Sequence, residues 1–130
     1  MAYVYSLVNS LQNTEMVGDQ ECVALVKKYA HLGATATWRQ GKKVFGDMSI
    51  PRGAAIATFV HGKYPASGAG FHKHAAFYLG QDANFIYVMD QWKGKKTKVS
   101  QRKLPRRGGM RSDGSYPDAS NNAEAFYVIE

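Results

Sequence analysis

The chain has 130 residues, 45% of them hydrophobic and 21% charged, with a net charge of +7 and a pI near 9.6. That length and balance describe one domain, 1–130, able to bury its own core without a metal or a disulfide, and the single cysteine, Cys22, excludes an internal disulfide. No run is apolar for long enough to span a bilayer, which argues against membrane insertion, while the positive charge favours polyanionic partners: nucleic acid, anionic lipid or cell-wall polymer.

Residues 1–17 are mixed and poorly periodic, a short helix or an arm. Met1 to Val8 has neither a basic start nor a long apolar run and does not read as a signal peptide, so the expectation is synthesis in the cytoplasm and export by another route. Asp19 is placed as a helix N-cap. Cys22, Leu25, Val26, Tyr29 and Ala30 then recur at helical spacing, and Gly33 is a natural stop. This predicts a helix over 20–31.

Residues 34–53, with Gly41, Gly46 and Pro51, read as a loop with at most one helical turn. A strand is predicted over 54–60, a glycine-rich loop over 61–70, a second strand over 75–79 ended by Gly80, and a third over 85–89 that closes a hairpin through 82–84. A fourth strand lies near Val99 and a fifth over 125–129, with 105–122 as an exposed loop between them. A helix followed by antiparallel strands is an α+β pattern, the N-terminal helix packed on the sheet.

A lone cysteine is more often a small buried hydrophobe than a nucleophile. The position of Cys22 argues the other way. A thiol attacks only as thiolate, and the first turn of a helix offers unpaired N–H groups and a dipole that favour negative charge. The same N–H groups are aimed to hold an oxyanion during acyl transfer. Such a nucleophile needs an imidazole within reach and a third polar group behind it. Of His31, His61, His72 and His74, only His74 starts a strand whose hairpin partner ends in candidate orienting residues, Asp90 and Gln91. Either can reach His74 across the ladder. A carboxylate would orient the ring and stabilise its protonated form; an amide would only orient it. His72 shares the strand face of His74 in extended backbone and is the nearest competitor. His61 has no carboxylate close in sequence, and His31 lies too far along the helix of Cys22 to meet it.

Four segments carry a family resemblance: 18–26 around Cys22, 52–59, His74-Ala75-Ala76-Phe77-Tyr78-Leu79-Gly80, and Val88-Met89-Asp90-Gln91-Trp92. They resemble NlpC/P60 and CHAP peptidases, and most closely the second family of type VI secretion amidase effectors. The resemblance covers about residues 16–92. It implies a papain-like fold, Cys22 as nucleophile, His74 as base and then acid, and Asp90 as orienting residue. It also implies hydrolysis of amide bonds in peptidoglycan stems, at the crosslink between diaminopimelate and D-alanine. A toxin injected into a rival's periplasm and a cognate immunity protein in the producer follow from the same likeness. Papain-like proteases supply a glutamine several residues before the cysteine to the oxyanion hole. Here Gln20 stands only two residues before Cys22, a departure from that pattern that leaves it a substrate-binding candidate.

Trp38, Tyr64, Tyr87 and Trp92 are candidates to line a substrate groove, Trp92 foremost because it lies two residues past Asp90. Nine basic residues and no acid fall between Lys93 and Arg111. This run reads as a solvated edge, or as a surface for an anionic wall or an acidic immunity protein. A nucleic-acid-binding module is the rival reading of the charge, but no recognition motif accompanies it. A non-catalytic wall-binding protein with a decayed site is another. No metal or other cofactor is expected: Cys22, His72 and His74 are too few and too badly spaced for a zinc site.

Overall fold

The computed structural model describes residues 2–130. Its one α-helix, α1 (Cys22–Ala30), precedes all six strands: β1 (Gln40–Lys43), β2 (Ala55–Thr58), β3 (Ala75–Gln81), β4 (Phe85–Asp90), β5 (Ser100–Pro105) and β6 (Phe126–Ile129). The strands form a single antiparallel sheet in the order β1-β6-β2-β3-β4-β5. The architecture is α+β. Every residue of β2 and β6 is buried, as central strands covered on both faces require. Leu25 and Val26 of α1 are fully buried, and the helix packs on β3. Val8 and Leu11, in a 3-10 turn of the N-terminal arm, join the same core.

Several expectations need correction. The helix is shorter than 20–31. Asp19 is not its cap: the Asp19 carboxylate accepts the Glu21 N–H at 3.0 Å, and Glu21, extended and without a side-chain cap bond, is the N-cap. Cys22 is therefore the first helical residue rather than the third. The helix ends at His31, whose left-handed φ of 56° takes the role assigned to Gly33. The region 34–53 contains β1, an edge strand that pairs with β6. Its sequence, Gln-Gly-Lys-Lys, has no apolar alternation because three of its four residues face solvent. Strand β3 runs through Gly80 to Gln81, its register shifted by a bulge between Tyr78 and Gly80.

Loop 105–122 is only partly exposed. Asn122, fully buried, accepts the Arg107 and Glu124 N–H groups and donates to the Gly108 and Pro117 carbonyls. Tyr116 and Tyr127 join their hydroxyls at 2.5 Å. A composition rich in glycine, serine and charge hides these anchors, because one buried asparagine satisfies the loop's backbone where a strand ladder is missing.

Candidate active site

The hairpin β3–β4 brings His74 and Asp90 together. His74 lies just before β3, fixed by backbone: its N–H donates to Thr58 Oγ1 at 3.1 Å, and its carbonyl accepts the Thr58 N–H at 3.0 Å. The register Phe77↔Met89 sets Asp90 across from Ala76, so His74 and Asp90 are diagonal neighbours on one face. His74 Nε2 is 2.8 Å from Asp90 Oδ2, and both side chains are buried. Gln91, the alternative, points elsewhere. It accepts the Val17 N–H and donates to the carbonyls of Val17 and Glu21, which ties the end of β4 to the entrance of α1. Thus neighbouring residues at one strand end hold the imidazole and the helix that carries the sulfur.

Asp90 is gripped by two further cations. Lys95 Nζ donates to Asp90 Oδ1 at 3.0 Å and to the carbonyls of Asp90 and Ser100. Arg102 Nε donates to Asp90 Oδ2 at 2.6 Å, while the rest of its guanidinium reaches Asn121 Oδ1 and the Ser120 carbonyl. Two members of the basic run 93–111 are thus not solvated charges but partners of a buried carboxylate. Sequence reasoning missed them, since a lysine or arginine inside a basic run carries no mark of the acid it will meet. Burial alone would raise the Asp90 pKa. The hydrogen bond and charge of His74, then the charges of Arg102 and Lys95, outweigh burial and bring it to about 2.

Cys22 Sγ meets this group from the helix side. Burial pushes its thiol up, but the hydrogen bond and charge of His74, the Ala75 N–H and the Tyr64 hydroxyl leave it below the ordinary value. Because Asp90 occupies Nε2, Nδ1 is the nitrogen left for the sulfur. The Ala75 N–H is available because the last paired β3–β4 residues are Phe77 and Met89, beyond which the ladder has run out. Burial disfavours the His74 imidazolium, yet hydrogen bonds and charge from Asp90 and Cys22 raise its pKa overall. Both shifts favour the charged forms, thiolate and imidazolium. Cys22 and His74 line one open cavity of about 370 Å³ with Glu21, Lys73, Trp92 and Arg102. A second cavity also reaches Cys22, past Tyr64 and Lys27. This arrangement can attack a carbonyl with sulfur and hand a proton to a leaving amine.

The family model for domesticated amidase effector 2 (Dae2) matches residues 4–129. The chain belongs to the Dae2 family. The type VI secretion amidase effector 2 protein of Salmonella typhi is 48% identical to this Dae2-family chain over 135 residues, covering all of both sequences. A solved structure of type 6 secretion amidase effector 2 (Tae2) superposes with a TM-score of 0.92 at 47% identity, covering 98% of this chain and 94% of that one.

The other candidates of this Dae2-family chain are spread out. Trp92, about one-third exposed, lines the cavity of Cys22 and His74, its ring 6.2 Å from that of His74 and flanked by the Lys95 and Arg102 cations at 4.8 Å each. Gln20 is exposed, with a left-handed φ of 70°, and lines neither cavity beside Cys22, although Asp19 and Glu21 do. His72 does not share the site of His74: it is exposed, sits 4.0 Å from Asp118 and lines a different cavity. Trp38 is buried, its ring packed on that of Tyr64, and Tyr87 is turned to Asp82. Among the described residues no three His, Cys, Asp or Glu side chains gather to hold a metal ion, and no helix is long and apolar enough to cross a membrane.

The electrostatics give a direct test. Alkylation of Cys22 by iodoacetamide, followed against pH, should show a midpoint below that of an ordinary exposed thiol. In His74→Asn the largest lowering influence is gone and burial remains, so the midpoint should move above that of wild type. A wild-type midpoint at or above an ordinary thiol's would contradict the ion pair.

Proposed function

We propose that this chain, acting as one domain over 1–130, is a peptidoglycan amidase that cuts an amide bond in stem peptides or their crosslinks by a cysteine–histidine mechanism. Cys22 is the nucleophile, His74 the base and then the acid, and Asp90 the residue that orients and stabilises the imidazolium. The observation that carries this reading is the convergence of a helix-entrance thiol of lowered pKa with a buried His–Asp pair in an open cavity. The names of the relatives supply the reaction class and the delivery system. By that likeness the chain is an antibacterial effector, made in the producing cell, passed by type VI secretion into a rival's periplasm, and matched by an immunity protein at home.

The thiolate attacks the scissile carbonyl, forming a C–S bond and an oxyanion held by the Cys22 N–H at the helix entrance. His74 protonates the departing amine. It then takes a proton from water, whose oxygen displaces the thiolate from the acyl group. The helix-borne cysteine, the strand-borne histidine and the polar residue on the next strand support a papain-like kinship with NlpC/P60 enzymes. The diaminopimelate–D-alanine crosslink is the bond we assign. Mass spectrometry of muropeptides from purified Gram-negative peptidoglycan tests both levels. Wild type should convert crosslinked dimers to monomers and Cys22→Ala should not. Dimers left whole while stems are trimmed would move the assigned bond; no product at all would reject the amidase reading.

A further inference from the structure

The segment that leaves β2 is built to aim one side chain. The Val60 N–H donates to the Lys63 carbonyl and the Lys63 N–H to the Val60 carbonyl, closing a two-residue turn at His61-Gly62. Both turn residues have positive φ, 51° and 77°, the conformation of a type I′ hairpin turn, which glycine at the second position adopts without strain. His61 is held down on Gly114, so closely that a Cβ there would meet its ring at 2.8 Å. The first buried side chain after the turn is Tyr64. Its ring is clamped between Trp38, 5.0 Å away, and Lys73, whose Nζ lies 5.6 Å from the ring centre and donates to the Pro65 carbonyl. The result is a nearly buried tyrosine whose hydroxyl stands 3.7 Å from Cys22 Sγ and which lines the second cavity beside that sulfur.

A phenol so placed has more than one use. It is not a base for the thiol, because His74 already fills that role. It is not a nucleophile, because burial, and then the charge and hydrogen bond of Cys22, push its pKa far above the ordinary value and keep its proton on. A permanently protonated hydroxyl beside a reacting sulfur is a hydrogen-bond donor. In the resting pair it donates to the thiolate. Once sulfur bonds to a carbonyl carbon, the negative charge leaves sulfur for the carbonyl oxygen, which lies next to Sγ. Oxyanion donors act from about 2.7–3.1 Å, and a hydroxyl 3.7 Å from the sulfur is placed to reach an oxygen two bonds away from it.

We infer that Tyr64 Oη is the side-chain half of the oxyanion hole, pairing with the Cys22 N–H at the start of α1 to hold the tetrahedral intermediate. This rests on the cysteine–histidine reading of the site. In the step itself the thiolate electron pair forms the C–S bond, and the carbonyl π pair moves to oxygen. Tyr64 donates a hydrogen bond to that oxygen without giving up its proton. Collapse restores the C=O bond and expels the amine, which leaves with the proton of His74. Only the hydroxyl is required of Tyr64, so phenylalanine removes the function and keeps the ring between Trp38 and Lys73.

Tyr64→Phe is therefore measured beside wild type and Cys22→Ala on crosslinked muropeptides, with iodoacetamide alkylation and a thermal melt on the same preparations. The expected result is a kcat lower by about 10²- to 10³-fold, with KM little changed. Alkylation, which develops no oxyanion, should stay within about threefold of wild type above the midpoint of the thiol titration. That retained alkylation also reports an intact site. Two results overturn the inference: a kcat close to wild type, or hydrolysis and alkylation falling in parallel, which would reduce Tyr64 to a thiolate partner. If wild type itself yields no muropeptide product, the amidase reading fails and takes this one with it. If wild type is active and Cys22→Ala is dead, only the role of Tyr64 is in question.

Discussion

Cys22→Ala and His74→Ala are each expected to cut the rate of peptidoglycan hydrolysis by at least about 10⁴-fold, and the double variant should be no worse than either single one. The reason is geometric. The imidazole is the main influence lowering the thiol pKa, while Asp90 first and then Cys22 raise that of the imidazole, so the two reacting groups favour each other's charged form. Each variant is compared with wild type by initial rates of muropeptide release from the same sacculi. Independent, additive losses in the double variant would mean that the two side chains do not form one unit. Residual activity in His74→Ala near the wild-type level would point to a different base. His72 is a poor substitute, since it is exposed, faces Asp118 and lines another cavity.

The second large effect is on stability. Asp90→Ala should destabilise the protein by about 3–5 kcal/mol, because it leaves buried Lys95 and His74 without their carboxylate. In a chain of this size that is a fall in Tm on the order of 10 °C. Activity should fall by on the order of 10²-fold or more, since the ring of His74 loses both its orientation and the charge that favours its protonated form. The pH dependence has a definite sign. The folded-state pKa of Asp90, about 2, lies below the ordinary carboxylate value of about 3.9. Its stabilisation is fully present above that ordinary value and is lost as pH falls from about 4 towards 2. Thermal melts of wild type and Asp90→Ala should therefore differ most near neutral pH and converge in acid. A gap that stays constant down to pH 2 would show that the carboxylate's ionisation is not what stabilises the fold.

The excess of cation around Asp90 explains why the basic character of this chain is not only a surface property. One acid faces Lys95, Arg102 and His74, so even with a neutral imidazole the group is net positive. Arg102 gives the cavity of Cys22 and His74 a cationic wall. Trp92, flanked by both cations, forms the lip of the same cavity.

Much of this was written in the order of residues. The period of Leu25, Val26, Tyr29 and Ala30 places a helix directly after Cys22, because an amphipathic face repeats at 3.6 residues whatever the fold around it. The runs 75–79 and 85–89, parted by Asp82-Ala83-Asn84, spell a hairpin, and a hairpin dictates that residue 74 and residues 90–91 share one end. Those are local signals, and they carried the pairing of His74 with either Asp90 or Gln91. Tertiary structure alone decided between the two, since neighbouring residues at a strand end face opposite ways and the strand register, shifted by the bulge between Tyr78 and Gly80, sets Asp90 on the face of His74. It also recruited Lys95 and Arg102, revealed the edge strand β1, and swung Tyr64 onto Cys22 across 42 positions of sequence. Contacts of that kind depend on how the chain closes in space, and no spacing along it encodes them.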